Sequence, residues 1–252
     1  MMKTTNTIKK PIIEIKDLHK SFGENTVLNG FNLVLNEGEN VVVMGKSGSG
    51  KSVMIKCLIG LIEYDSGSIT IMGNDLKKFE SDEELDDFRT EIGFLFQGSA
   101  LYDSMTVRQN LEFPLLRHPK KFGDIEDTTP LVMEALESVG LASAIDLMPN
   151  EISGGMQRRV ALARTLILKP KIILYDEPTT GLDPITSAEI IDLMKSVQEK
   201  YQTSSIIITH DIDCARIVSN RMVLLIDKIN YKEGTFDELE KSEDPKIQQF
   251  FK

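Results

Sequence analysis

The chain contains no apolar run of the roughly 18–20 residues needed to cross a bilayer. Work at a membrane would therefore need a separate spanning partner. It has no cysteine framework either. Cys57 and Cys214, the only two cysteines in 252 residues, stand far apart and fit neither a zinc nor a disulfide pattern, which suits a reducing compartment. Basic charge is not in surplus: the formal net charge of −10 argues against a broad nucleic-acid surface and against unaided docking on anionic lipid. Met1 to Lys10 carries charge but no apolar core, so it does not read as a secretory signal. Internal repeats and low-complexity segments are lacking as well. What remains, 41% hydrophobic and 27% charged, describes an ordinary cytosolic globular chain long enough to bury a sizeable core.

The most informative feature that is present runs from Gly45 through Lys46, Ser47, Gly48, Ser49, Gly50 and Lys51 to Ser52. Val41 to Met44 before it reads as a buried strand. After it, Met54, Ile55, Leu58, Ile59 and Ile62 recur at helical spacing. A glycine-rich loop between strand and helix wraps backbone N–H groups around an anion, and the helix start adds roughly half an elementary positive charge. Lys51 is placed to reach the β- and γ-phosphates, and the Ser52 hydroxyl to hold Mg²⁺. The expectation is a nucleoside triphosphate site.

Around that loop the chain alternates strands and helices. Ile12 to Ile15 and Val27 to Leu35 read as short strands, with turns expected at Phe22-Gly23 and Asn29-Gly30. Ser68 to Met72 and Ile92 to Phe96 read as further strands, and the acidic run Ser81 to Asp87 as a solvated helix face. From Thr106 to about Lys169 the pattern turns helical, with a stop at Gly140 and Ser153 as an N-cap. Ile172 to Tyr175, Ile206 to Thr209 and Met222 to Ile226 are apolar strands with helices between them. Such alternation predicts a mostly parallel sheet with its ligand at the C-terminal edge, and a helical insertion in the middle.

That edge collects chemistry. The strand from Ile172 ends in Asp176, the candidate Mg²⁺ partner, and Glu177, the candidate general base for an attacking water. His210 follows another strand and is placed to bond the γ-phosphate, whereas His19 and His118 read as structural. Gln97 ends a strand too, with an amide able to touch Mg²⁺ or the water. Ser153, Gly154 and Gly155 open a helix and form a second anion-binding terminus. Unless it folds around the ligand, one chain cannot usefully aim two helix starts at one small triphosphate from opposite sides, so the spacing suggests two copies, each completing the other's site.

Taken together, these residues strongly resemble the ATP-binding subunits of ABC transporters. The phosphate loop is similar to Walker A, Gln97 to the Q-loop, Ile152 to Met156 to the signature, and Ile172 to Glu177 to Walker B. Thr180 to Asp183 is similar to the D-loop and His210 to the switch histidine, while Phe22 stands where the family places an aromatic against adenine. Ile152 and Met156 depart from the commonest signature at both ends, but Ser153 and the two glycines are intact. The resemblance implies an α/β P-loop (RecA-like) core with an N-terminal antiparallel β subdomain. It implies an ATP-binding domain over residues 12–235, with a helical subdomain at about 98–168, and a C-terminal extension at 236–252. ATP, Mg²⁺ and Asp183 at the nucleotide follow from the same resemblance, as do a homodimer and an integral membrane permease at the cytoplasmic face of a bacterial inner membrane.

A narrower resemblance, to the ATPases of Mla/Mce-type lipid transporters, is carried by Phe96 to Val107, Phe113-Pro114-Leu115 and Met148-Pro149. Arg158-Arg159, Asp183 to Thr186 and the tail Asp244 to Phe250 add to it. This implies phospholipid transport, with a small regulatory subunit and a lipid-binding Mce-type subunit as further candidate partners and no nucleic acid. The alternative is the ATPase of another ABC importer or exporter. A GTPase is disfavoured by the lack of an Asn-Lys-x-Asp motif. A DNA-repair ATPase is disfavoured by the short span between Gln97 and the signature, which has no room for a coiled coil.

Overall fold

A computed structural model of the chain describes residues 10–123 and 125–251. The reading of Met1 to Lys10 therefore falls almost wholly outside the described residues.

Two sheets organise the molecule. In the first, β1 (Pro11–Phe22) and β2 (Asn25–Asn36) form an antiparallel hairpin. The order in that sheet is completed by β4 (Ser66–Ile71) and the short β5 (Asn74–Asp75), beyond β1. Ile13 and Ile15 on β1 and Phe31, Leu33 and Leu35 on β2 are buried at every second position, the period of a one-faced sheet. The turn expected at Asn29-Gly30 is not there. Leu18 pairs with Phe31 and His19 with Asn29, so Gly30 is an extra residue, a bulge with φ +83° inside one long strand. Asn-Gly looks like a turn because glycine supplies the positive φ that either device needs. The actual hairpin turn is Gly23-Glu24, one residue beyond the start expected.

The second sheet has the order β10-β9-β3-β8-β7-β6. Its strands are β3 (Asn40–Met44), β6 (Ile92–Leu95), β7 (Ile172–Asp176), β8 (Ser204–Ile208), β9 (Arg221–Ile226) and β10 (Ile229–Gly234). All its pairings are parallel except β9 with β10 at the edge. Strands buried on both faces read as unbroken apolar runs, and β3 shows why. Val41 and Val43 join the core shared with the antiparallel sheet, while Val42 and Met44 join the core under the helices. On the first side lies α1 (Lys51–Leu58), and the exposed acidic α2 (Asp82–Arg89) precedes β6. Between β6 and β7 there are only helices and turns among the described residues: α3 (Val107–Arg117), α4 (Pro119–Phe122), α5 (Thr129–Ser138) and α6 (Gly154–Leu166). Then come α7 (Pro184–Tyr201), α8 (Ile212–Val218), α9 (Phe236–Glu240) and α10 (Pro245–Gln248). Phe236, Leu239 and Ile247 are buried in the helical-side core, so the C-terminal segment is packed into the body.

One buried ion pair stitches the sheets together. Arg221 on β9 donates to Glu39 at 2.9 Å, to Glu233 at 2.8 Å and to the Val34 carbonyl of β2. Burial opposes ionisation of Glu39, but the hydrogen bonds from Arg221 and Asn36 and the charge of Arg221 outweigh it and hold the carboxyl below its ordinary value. That contribution is therefore present above the ordinary carboxyl range and is lost as the pH falls through the lowered value. Arg221→Ala strands the buried carboxylate and is expected to cost about 3–5 kcal/mol in urea unfolding at neutral pH. A loss below about 1 kcal/mol would show that the pair is solvated and not structural.

Candidate active site

The phosphate loop leaves β3 at Met44 and enters α1 at Lys51. Its glycines are demanded by contact as well as by turning. A Cβ on Gly45 would stand 2.5 Å from Ser49 Oγ and 2.8 Å from the Leu225 carbonyl oxygen. Gly50 caps α1 at φ +107°, and a Cβ there would stand 2.9 Å from both Val27 Cγ1 and the Val27 carbonyl oxygen. Lys51 is only 8% exposed. Its ammonium donates to the carbonyls of Gly45 at 2.8 Å and Lys46 at 3.1 Å. Burial draws the Lys51 pKa down, and the charges of Glu177 and Asp176 partly restore it. A desolvated cation held by two carbonyls of the loop itself is ready to exchange them for phosphate oxygens.

Opposite the loop, β7 delivers Asp176. The Ser52 hydroxyl lies 3.4 Å from Asp176 Oδ1, although 124 residues separate them in sequence. Burial pushes the Asp176 carboxyl up; Ser52 counters this by hydrogen bonding, and the neighbouring Glu177 charge adds to it. A carboxylate so placed is short of positive charge, and a hard divalent cation would supply it. The donors at hand, Asp176, the Ser52 hydroxyl and the Gln97 amide, are oxygen ligands and fit Mg²⁺. No group of three or more His, Cys, Asp or Glu placed to hold a metal ion occurs among the described residues.

Glu177 sits at φ +52°, a strained left-handed position for a residue with a side chain. Its amide donates to the Ile208 carbonyl at 2.9 Å, which ties the turn to the end of β8. Two groups then aim its carboxylate: Thr180 Oγ1 donates to Oε2 at 3.2 Å, and His210 Nδ1 stands 2.8 Å from the same oxygen. A carboxylate only accepts, so the shared proton is on Nδ1 of the imidazole.

These groups line one pocket of about 590 Å³, large enough for a nucleotide's phosphates. Its wall includes Gly45, Lys46, Ser47, Gly48, Lys51, Ser52, Gln97, Glu177 and His210. Ser49 and Gly50 sit behind the loop as its support, and Asp176 reaches the pocket through Ser52. The structure does not bring the remaining expected residues there. Phe22, at the end of β1, is half exposed beneath the Lys20 ammonium, 5.0 Å from the ring centroid. Ser153 caps α6, its hydroxyl accepting from Met156 N at 3.2 Å. Asp183 caps α7, accepting from the amides of Ile185 and Thr186 and from the Thr186 hydroxyl. Gly154 is exposed, and a Cβ on Gly155 would stand 2.4 Å from Thr186 Cγ2, so the starts of α6 and α7 are packed against one another. The chain thus carries two separate clusters: a pocket, and a pair of capped helix starts that do not line it.

Thr180, Gln249 and Phe250 also line the pocket and were not singled out as site residues from the sequence. Thr180 stands three residues after Glu177, a local signal within reach; Gln249 and Phe250 arrive from the far end of the chain and leave none. Arg158, on α6, is buried and donates to the Phe96 carbonyl at 2.7 Å. Arg164 holds the Ala100 carbonyl at 2.8 Å. Arg158 therefore holds the chain just before Gln97, and Arg164 the strained loop just after it, where Ser99 and Ala100 have positive φ.

A parallel sheet with a phosphate loop on one strand and an acid pair on the next but one defines a P-loop nucleoside triphosphatase. The ABC transporter family profile matches residues 28–180, and the chain belongs to that family, as an ATP-binding, ATP-hydrolysing subunit. It is 42% identical over 239 residues to "Probable ribonucleotide transport ATP-binding protein mkl" of Mycobacterium leprae, covering 94% of this chain and 68% of that protein. It is 35% identical over 241 residues to "Intermembrane phospholipid transport system ATP-binding protein MlaF" of Haemophilus influenzae, covering 96% of this chain and 90% of that one. Import ATP-binding proteins for methionine and for spermidine/putrescine match as well. Among solved structures, the dimeric post-hydrolysis state of the ATP-binding cassette MJ0796 bound to ADP and Pi superposes with a TM-score of 0.79 at 34% identity, over 89% of this chain and 98% of that one. No helix among the described residues is long and apolar enough to cross a membrane.

Proposed function

We propose that the chain powers lipid transport across a bacterial envelope, as a homodimer docked on the cytoplasmic face of an inner-membrane permease. The supporting observation is the match to the phospholipid-transport relative, which runs over 96% of this chain and 90% of that protein. The mycobacterial relative, named for ribonucleotide transport, is matched over only 68% of its own length. Phe96 to Val107 and the tail from Asp244, the segments that resemble Mla/Mce-type ATPases, support the same reading.

In this mechanism two copies close head to tail over two ATP molecules. The loop from Gly45 to Ser52 and the Lys51 ammonium hold the phosphates in one protomer. Ser153 to Gly155 at the start of the second protomer's α6 meet the γ-phosphate from the other side. The separation of pocket and capped helix starts within one chain supports this division of labour. Ser52, Gln97 and Asp176 would hold Mg²⁺, which when bound neutralises phosphate charge. Glu177 takes the proton of the attacking water, with His210 and Thr180 fixing its carboxylate, and Phe22 offers its ring face to adenine. Swinging a dimer from mostly open to mostly closed takes about 5.5 kcal/mol of differential binding. Two sites sharing that load need a few charge-assisted hydrogen bonds each. The segment around Gln97, held before it by Arg158 and after it by Arg164, passes the motion to the permease, and residues 98–168 act as the helical subdomain that carries it. Small regulatory and Mce-type lipid-binding subunits complete the assembly.

The test is to purify the chain from its own cells together with the membrane protein that accompanies it, extract bound lipid, and measure ATP hydrolysis in phospholipid vesicles. Co-purifying phospholipid and lipid-stimulated turnover are expected. Turnover stimulated instead by methionine, a polyamine or a ribonucleotide would replace the lipid reading with that substrate.

A further inference from the structure

The wall of the pocket formed by Gln249 and Phe250 is unlike the rest. These residues follow α10, about seventy residues beyond Glu177 in the chain, and the segment that brings them is fastened at every step. Asp244 caps α10 and accepts from the Tyr231 hydroxyl at 2.7 Å. Lys246 pairs with Asp227 at 2.5 Å. Ile247 is 2% exposed in the helical-side core. Phe251 stacks edge-on against Phe236, with ring centroids 5.4 Å apart. None of these fastenings is a residue of the pocket, so the anchoring holds Gln249 and Phe250 in place from outside it.

What they bring decides the direction of their effect. A triphosphate is held by cations and N–H donors, and Phe250 supplies neither. Its ring face is weakly negative. One N–H of the Gln249 amide is already donated to the Lys246 carbonyl at 2.6 Å, which leaves it a single neutral donor. The two side chains therefore take up room in a phosphate pocket while adding no positive charge to its grip.

We propose that residues 244–251 form a strap that, within a single protomer, narrows the nucleotide pocket and restrains nucleotide entry until it is released. This rests on reading the pocket as the ATP site. A strap closed roughly nine-tenths of the time raises the apparent Kd about tenfold, because only the open fraction is competent to bind.

The test uses the full chain with Mg-ADP as probe, measured by calorimetry so that turnover plays no part. Deleting residues 249–252 leaves Asp244, Lys246 and Ile247 in place and is expected to tighten binding about tenfold. Lys246→Glu faces Asp227 with a like charge at a point outside the pocket, and is expected to tighten binding about threefold. Phe250→Ala should fall between them. Thermal melting without nucleotide verifies that each variant is folded. Unchanged or weaker binding in the folded deletion and in Lys246→Glu overturns the strap. Lys51→Ala, measured alongside, separates the two failures. If it weakens Mg-ADP binding while the strap variants do not tighten it, the strap alone is wrong. If it leaves affinity untouched, the pocket is not the nucleotide site and the strap falls with it.

Discussion

Glu177→Gln is expected to bind Mg-ATP as tightly as the parent chain and to hydrolyse it about 10²–10⁴-fold more slowly, a loss of roughly 3–5.5 kcal/mol of barrier lowering. The argument is geometric before it is electrostatic. Glu177 lies at a strained φ of +52°, and its carboxylate is pinned by Thr180 at 3.2 Å and His210 at 2.8 Å. A carboxamide has the same shape and can still accept from Thr180, so neither the turn nor the pocket should collapse. What it cannot do is take a proton from water. Affinity and turnover therefore separate, which a structural role for Glu177 would not produce. Nucleotide titration beside steady-state phosphate release makes the measurement. Near-normal phosphate release would remove Glu177 from the role of base and leave the strain at that position without a chemical reason.

Of the residues on which that prediction draws, Glu177 and His210 were legible in the sequence because each sits beside a strand end, and Thr180 was not singled out as a site residue. An apolar run of four or five residues announces the strand, and whatever follows it is carried to one edge of a parallel sheet. Asp176, Glu177 and His210 are found that way, whereas Lys51 is found from the glycine-rich loop between a strand and a helix start. The bulge at Gly30 was not legible, because Asn-Gly looks the same in a hairpin turn and in a bulge; only the pairing of Leu18 with Phe31 and His19 with Asn29 separates the two. Gly155 was read for its anion-binding backbone. Its approach to Thr186, at 2.4 Å from a Cβ it does not carry, is a second reason for glycine that depends on how two helices pack. Asp183 shows the same limit: its carboxylate is engaged as a helix cap within its own chain, a role that an Asp-Pro step at a helix start also suggests. Gln249 and Phe250 mark the far end of this range. Nothing local to them points to phosphate, and their place in the pocket follows from the burial of Ile247 and the stacking of Phe251.

Lys51→Ala carries the second large effect, and it falls on binding. In the parent chain the Lys51 ammonium is nearly buried, and its charge is balanced by Glu177 and Asp176 as well as by two loop carbonyls. Removing it has two consequences. The carbonyls of Gly45 and Lys46 lose a donor, at a cost of about 1–3 kcal/mol if water does not replace it. The relief of a desolvated charge offsets part of that, so the melting temperature without nucleotide should move little. For the nucleotide there is no offset. One charge-assisted hydrogen bond to phosphate is worth about 1.5–3 kcal/mol, or roughly 10–150-fold in Kd. Loss of the Lys51 charge beside Glu177 and Asp176 also makes the pocket more negative and pushes the loss toward the upper end. The expected result is thus a chain that melts near the parent temperature and binds Mg-ATP at least tenfold more weakly in a direct titration. An Arg at this position keeps the charge but spreads it over a longer, planar head with a different donor geometry, so Lys51→Arg should recover only part of the affinity. Unchanged affinity in Lys51→Ala would mean that the loop from Gly45 to Ser52 does not hold the phosphates, and the assignment of Ser52, Asp176 and Glu177 around it would have to be abandoned as well.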